Sequence, residues 1–300
     1  MIDISHKRTS LRYARASGSL KAAPEIIEKV RNNQIPKGNV AEVARSAGIQ
    51  AGKRASEWIV FCHTMPVDWV EVSMDIKTEY IEFTSEVRSV WKTGMEMEAM
   101  AAASAALLNA YDMLKPLQAD IEITGIRLLE KTGGKSDVAD TFDAPLKAGL
   151  IVVSNAKKEG RREDNAGKEI QAFLQDHPVE LEIHEYLEED SHLLEKRLIS
   201  LCDEEQVDLI FTCGATGPAP RDITSEVIKQ VSDKVIPGIG EAMRHYGYQR
   251  TPFSMLSDQV GGVRNQSLII AIPGSSQGAK ESLNALFPGV LHAIRMLHGK

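Results

Sequence analysis

The chain has 300 residues, 43% of them hydrophobic and 26% charged, with a formal net charge of −7. That is the composition of an ordinary soluble globular protein of about two domains, and its acidic balance argues against a general nucleic-acid binder while leaving room for a local basic pocket. No apolar run is of secretory or membrane-spanning length, and Cys62, Cys202 and Cys213 are odd in number, far apart and without zinc-finger spacing, which fits a reducing cytoplasm and no disulfide framework.

Residues 25–33 read as a helix, and Pro36-Lys37-Gly38-Asn39 as a turn. Asn39 then serves as N-cap of a helix from Val40 to about Trp58. Lys37 beside free N–H groups at that helix start is either an anion site or an exposed turn lysine. Lys53 and Arg54 fall toward the far end, where the helix dipole favours cations in any case. Phe61-Cys62-His63-Thr64 follows, its histidine structural or catalytic. Val70, Val72, Met74 and Ile76 alternate with polar residues, as do Ile81, Phe83 and Val87. Ile121, Ile123, Ile126 and Leu128 nearly do so, with Gly125 at a bulge. Amphipathic strands with long helices before and between them imply an antiparallel sheet covered on one face, an α+β domain.

The stretch from Thr93 to Lys115 predicts one alanine-rich helix ending before Pro116. Glu96 and Glu98 stand at its start, Asp112 and Lys115 at its end. Glu98 and Asp112 are close to four turns apart, on nearly the same face but about 21 Å distant along the axis. If both ends serve one small substrate, a second copy of the chain supplies one of them, and the alanines from Ala99 to Ala106 would let a neighbouring element approach closely. The alternative is a Thr93–Glu96 capping box and a surface Asp112–Lys115 pair. Lys131-Thr132-Gly133-Gly134-Lys135-Ser136 looks like a phosphate-binding loop, but Leu129 stands where the leading glycine belongs.

Together, Lys37-Gly38-Asn39-Val40, Ala47 to Arg54, Cys62-His63, Gly94 to Ala99, Tyr111 to Lys115 and Lys131 to Ser136 resemble, in order, cyclic pyranopterin monophosphate synthase. The likeness spans residues 1–137. It implies a ferredoxin-like α+β fold, dimers within a homo-hexamer and active sites between subunits. The implied reaction converts 3′,8-cyclised dihydro-GTP into cyclic pyranopterin monophosphate and pyrophosphate. By motif match Lys115 is the general acid/base and Asp112 orients it. Lys37 and Lys53, with Arg12, Lys131 and Lys135, would hold phosphates. Phe61, Cys62, His63, Met97 and Glu98 would line the substrate pocket beside Glu96. Thr64 stands where the family usually has proline.

Residues 137–147 contain Pro145 and no period, and read as a linker. Beyond them, a continuous apolar strand at 150–153 and further strands at 179–186, 207–212 and 268–272 alternate with helices. This predicts a parallel α/β sheet of three layers, with ligands beyond the carboxyl ends of its strands. Two strand ends carry small-residue loops suited to phosphate, Cys213 to Thr224 and Pro273-Gly274-Ser275. Asp222 either holds magnesium there or, like Thr224, caps the next helix.

Thr216-Gly217-Pro218, Arg221 to Thr224, Pro237 to Arg244, Leu256-Ser257, Val263-Arg264 and Pro273 to Ser275 resemble molybdopterin adenylyltransferase over residues 147–300. That family is usually trimeric. The resemblance implies ATP and Mg2+ as cofactors and molybdopterin as acceptor. Asp222 would serve catalysis and metal binding, and Gly214, Thr216, Gly217, Pro273, Gly274 and Ser275 would bind substrate. Asp164 fits another pocket position, and the second acid is Glu189 or Asp190. Ala215 replaces a usual glycine and Asn155 an aspartate. Asp258 stands for a common arginine, and Ser276-Gln277 for a proline–lysine pair. Two cations near a polyanion site are thereby absent. The expectation is a cytoplasmic bifunctional enzyme of molybdenum cofactor synthesis. Its rival makes the second domain a non-catalytic pterin-binding or oligomerisation module.

Overall fold

A computed structural model describes residues 1–299, without the side chains of Lys135 and Ser136, so the predicted role of Lys135 lies outside the described residues. The chain divides into two compact units, Met1–Asp137 and Val138–Lys300.

In the first unit β1 (Ser10–Lys21) leads to α1 (Pro24–Arg31) and α2 (Val40–Lys53). The hairpin β2 (Trp69–Ile76) and β3 (Tyr80–Trp91) follows, then α3 (Glu96–Leu114) and β4 (Glu122–Thr132). The sheet order is β2-β3-β1-β4, antiparallel throughout. Its central strand, β1, is absent from the sequence reading. Its inward positions are Ala14, Ala16, Gly18 and Leu20, mostly too small to give an apolar alternation. They are small because α3 lies against them: a Cβ on Gly18 would stand 2.4 Å from Leu107 Cδ1. The expected bulge is present, since Ser19 pairs with Gly125 while Leu20 pairs with Ile123.

Helix α2 is shorter than expected, ending at Lys53, with Asn39 accepting the Glu42 N–H as its cap. Helix α3 starts at Glu96 with Met95 at the N-cap and no side-chain cap, so Thr93 forms no capping box. The alanines expected to face another copy are used within the chain. Ala99 and Ala103 pack with Ala14 and Ala16, and Ala102 and Ala106 with Val40 and Ala44.

The second unit runs β5 (Leu146–Val153), α4 (Asn155–Lys158), α5 (Asn165–Leu174), β6 (Val179–Leu187), α6 (Ser191–Asp203), β7 (Leu209–Cys213) and α7 (Thr224–Val231). It continues with β8 (Lys234–Val235), α8 (Pro237–Tyr248), β9 (Gly261–Arg264), β10 (Ser267–Ile272), α9 (Ser276–Leu286) and α10 (Leu291–Leu297). Successive β5 residues serve two cores: Leu150 and Val152 pack toward α5 and α9, Ile151 and Val153 toward α6 and α7. Burial on both faces is why the strand is uniformly apolar. The order is β6-β5-β7-β10-β9-β8, with the first four strands parallel. The expectation of an all-parallel sheet needs correction, because β9 and β8 are antiparallel. A tight turn at Asn265, with φ +51°, folds β9 back on β10.

Candidate active sites

The C-terminal end of α3 meets the turn before α2. Asp112 holds two ammonium groups, Lys37 at 2.7 Å and Lys115 at 2.7 Å. Lys37 also donates to the Asp112 carbonyl at 2.8 Å. The Lys115 hydrogen bond, then that of Lys37, draws the Asp112 carboxyl down to about 2. The same bond pushes Lys115 above its ordinary value, so it rests as an ammonium. All three side chains are exposed. Lys37, which the sequence leaves as an anion site or an exposed turn lysine, is thus exposed and paired with Asp112.

The opposite end of α3 is chemically different. Glu98 is 2% exposed. Its Oε1 accepts the Cys62 thiol at 3.1 Å, and its Oε2 has no partner among the described residues. Burial pushes Glu98 above the usual carboxylate range. Burial, with the Glu98 contact, pushes Cys62 up to about 12. His63 Nε2 donates to the Ile2 carbonyl at 2.8 Å, while Phe61 and Met97 are exposed. Lys53 is exposed on the last turn of α2.

Beside this end lies a cleft of about 450 Å³ lined by Lys7, Arg12, Lys92, Lys131, Glu96 and Asp137, among others. Lys131 pairs with Glu96 at 3.2 Å. Burial lowers Arg12 from its ordinary value. The Gly133 and Gly134 N–H groups both donate to Asp137 Oδ2, at 2.6 and 3.2 Å, so a carboxylate sits on the loop that resembles a phosphate cradle. Lys7 and Lys92 were missed in the sequence. Lys92 adjoins Thr93-Gly94, and Lys7 precedes the unrecognised β1.

In the second unit the predicted loops converge. A Cβ on Gly214 would meet the Val153 carbonyl at 2.7 Å, and one on Gly274 the Gly214 Cα at 3.1 Å, which brings the ends of β5, β7 and β10 together. Gly214 and Ala215 have φ of +105° and +51°, so alanine takes a left-handed conformation where glycine is favoured. Thr224 locks the loop, donating through Oγ1 to the Gly214 carbonyl at 2.8 Å. Thr216 Oγ1 lies 3.1 Å from Ser257 Oγ. A Cβ on Gly217 would fall 2.7 Å from Asp222 Oδ2. Asp222 does not cap α7, which has Ile223 at its N-cap and no side-chain cap; it accepts the Ala219 N–H at 2.9 Å.

Ser275 caps α9 through the Gly278 N–H. Cys213 donates to the Pro273 carbonyl at 3.6 Å. Asp190 caps α6, accepting the His192 and Leu193 N–H groups at 2.9 and 3.0 Å. The Glu189 N–H donates to Asn155 Oδ1 at 2.9 Å, and the Asp258 carboxylate is paired with Lys229 at 2.8 Å.

Comparison with known proteins matches this division. Residues 1–134 match the MoaC family, and residues 149–293 match the probable molybdopterin binding domain. Over its full length the chain is 37% identical to the molybdenum cofactor biosynthesis bifunctional protein of Synechococcus elongatus, spanning 98% of it. About half of the chain (54%) is 39% identical to the cyclic pyranopterin monophosphate synthase of Aquifex aeolicus, spanning 61% of that protein. Another 50% of the chain is 42% identical to the molybdopterin adenylyltransferase of Helicobacter pylori, spanning 87% of it. In structure, 52% of the chain overlays 98% of the molybdopterin biosynthesis enzyme MoaB of Thermus thermophilus, with a TM-score of 0.50 and 38% identity. Matched from end to end, the chain belongs to the family of bifunctional molybdenum cofactor biosynthesis proteins.

Proposed function

We propose that the chain is a cytoplasmic bifunctional enzyme, with a ferredoxin-like domain over residues 1–137 and an α/β domain over residues 147–300. The first converts 3′,8-cyclised dihydro-GTP into cyclic pyranopterin monophosphate with release of pyrophosphate. The observation that carries this is the carboxylate of Asp112 held between Lys37 and Lys115. Kept protonated by Asp112, Lys115 enters as the general acid and then acts as base once its proton is spent. Lys37 balances the carboxylate charge and is free to rotate onto a substrate phosphate. The cationic cleft of Lys7, Arg12, Lys92 and Lys131 takes the triphosphate end, displacing Asp137 from the Gly133–Gly134 amides. Glu98, its acidity weakened by burial, lines the pocket wall with Cys62 and His63 beside it.

The second domain transfers AMP from ATP to molybdopterin. Small residues at 214–217 and 273–275 leave backbone room for phosphates. One Asp222 oxygen is held by Ala219, and the other meets no donor among the described residues. A lone carboxylate of this kind fits magnesium held largely by substrate oxygens. When bound, magnesium would offset phosphate charge. Asp222 would hold it, and Thr216 and Gly217 would orient the phosphates. With Asp190 committed to capping, Glu189 is the second acid.

Pyrophosphate release from the cyclised substrate, and ATP-dependent adenylylation of molybdopterin, test both halves in the purified full chain. Lys115→Ala should abolish the first and spare the second, while Asp222→Asn should do the reverse. Near-normal pyrophosphate release by folded Lys115→Ala removes the lysine from the mechanism. A folded wild-type chain that forms no adenylylated product refutes the second activity.

A further inference from the structure

The second unit carries a buried ion pair that neither activity has used. Lys157 Nζ lies 2.7 Å from Asp164 Oδ1, and the two side chains are only 7% and 6% exposed. Asp164 is well supplied with donors. It accepts the Gly167 N–H at 3.0 Å as the N-cap of α5, takes the Tyr186 hydroxyl at 3.4 Å, and lies 3.5 Å from His184 Nε2. Burial opposes its charge, but the Lys157 and Gly167 contacts outweigh burial and hold it below the usual carboxylate range. The lysine is different. Its ammonium has three N–H donors, and Asp164 is its single acceptor among the described residues. A buried ammonium with spare donors calls for an anion.

Position says where that anion lies. Lys157 stands on α4, directly beyond the carboxyl end of β5. The Gly214 loop presses on the last carbonyl of that strand, and the Gly274 loop presses on Gly214. Cys213, at the end of β7, lies within the electrostatic reach of both Lys157 and Asp164. The ammonium thus borders the crevice at the strand ends, where α/β sheets take their ligands. Around that crevice, Lys229 is tied to Asp258 and to Glu226, and Arg221 is exposed on the loop.

We propose that Lys157 is the phosphate-binding cation of the second unit, with Asp164 as the positioning residue that holds its ammonium at the crevice. The spare N–H donors bind phosphate oxygens while the third stays on Asp164. This deepens the adenylyl-transfer reading and rests on it for the identity of the natural ligand. The phosphate comes either from ATP or from the pterin's phosphate ester.

The test is binding, which needs no turnover. Tripolyphosphate, as the ATP-like probe, and inorganic phosphate, as the ester-like probe, are titrated calorimetrically into the full chain carrying Lys92→Ala and Lys131→Ala, which disable the cationic cleft of the first unit, with Lys157 intact and as Lys157→Met and Lys157→Arg. Loss of a charge-assisted hydrogen bond predicts affinity weaker by roughly tenfold or more in Lys157→Met, with partial rescue in Lys157→Arg. The probe that loses affinity identifies the source of the phosphate. Should Lys157→Met misfold because Asp164 is left unpaired, the double variant Lys157→Met/Asp164→Asn removes both charges and is held to the same tenfold loss. A Lys157 that is only a structural staple lowers melting temperature and leaves both affinities unchanged, which overturns the proposal. So does a chain with Lys157 intact that binds neither probe. A chain that binds tripolyphosphate through Lys157 yet transfers no AMP upholds the anion site and refutes the adenylyltransferase reading alone.

Discussion

At Gly48 the backbone of α3 lies close against α2, and replacing this glycine with alanine sets two effects of similar size against each other. Alanine favours a helix interior by about 1 kcal/mol over glycine. At Gly48, however, the new Cβ would stand 2.8 Å from the Ala102 carbonyl oxygen and 2.9 Å from Val72 Cγ2. A backbone oxygen cannot swing aside, so the helices must part, and overpacking of this kind costs about 1–3 kcal/mol. The net expectation is a loss of about 1 kcal/mol. Gly52, one turn on, is the internal control. Its nearest neighbours would be 3.3 Å away, Ala102 Cβ and the Glu98 carbonyl, so Gly52→Ala should be close to neutral. Trp58, Trp69 and Trp91 all lie in the first unit, so tryptophan fluorescence during urea unfolding of the full chain reports that unit alone. Since Lys37 immediately precedes α2 and grips the end of α3, Gly48→Ala should also slow pyrophosphate release. A Gly48→Ala chain as stable as wild type would refute the close crossing.

Ala215 occupies left-handed backbone, which costs an alanine about 1 kcal/mol, so Ala215→Gly should leave the second unit as stable as before or up to about 1 kcal/mol more stable. A clear drop in its calorimetric melting temperature would show that the loop is not left-handed. Glu98 is held above its unfolded value by burial, so the wild type is at full strength below the unfolded value and loses stability as pH rises through the folded one. Glu98→Gln should therefore be the more stable protein near pH 8, by an advantage that vanishes toward about pH 4. An unchanged difference between those limits would mean that the carboxyl is not buried in solution.

What could be read in the sequence was what local pattern encodes. Strands β5, β7 and β10 announce themselves because long apolar side chains fill both faces, and edge strand β6 through its alternation of apolar and polar residues. Strand β1 does not, because its partner helix demands Ala14, Ala16 and Gly18, residues with no hydrophobic signature. Strand β9 is hidden for a related reason: half of its four residues are glycine, and Gly262 leaves room for Ser232 Oγ, which a Cβ there would approach to 2.0 Å. The site residues divide in the same way. Asp112 and Lys115 share a helix face, so their pairing follows from spacing. Lys37–Asp112, Cys62–Glu98 and Lys157–Asp164 are tertiary pairs. The first two join residues far apart in the chain, and the third depends on how α4 turns off β5. Nor could sequence separate Glu189 from Asp190. Only the cap geometry assigns Asp190 to α6.

Helix α3 poses a problem of distance that a second copy of the chain would resolve. It runs unbroken from Glu96 to Leu114, with Glu98 and Cys62 at one end and Asp112, Lys37 and Lys115 at the other. The axial separation of about 21 Å is too great for one small substrate to bridge. The interior alanines are occupied by β1 and α2, so they are not the contact surface for another copy. Edge strand β4 is available instead. It is exposed almost throughout, Ile126, Leu128 and Leu129 included, and such an edge is a natural place for chains to associate. Antiparallel pairing about a two-fold axis would set the carboxylate end of one helix beside the Asp–Lys end of its mate, twice per dimer. Glu98→Ala and Asp112→Ala chains, each inactive in pyrophosphate release, should then rescue one another when unfolded and refolded together. Each mixed dimer has one site with both defects and one with neither. Random pairing makes half of the dimers mixed, so roughly a quarter of wild-type activity should return. If mass measurement confirms the exchange of subunits and no activity appears, the two ends of α3 do not meet across copies, and the site must be assembled within one chain.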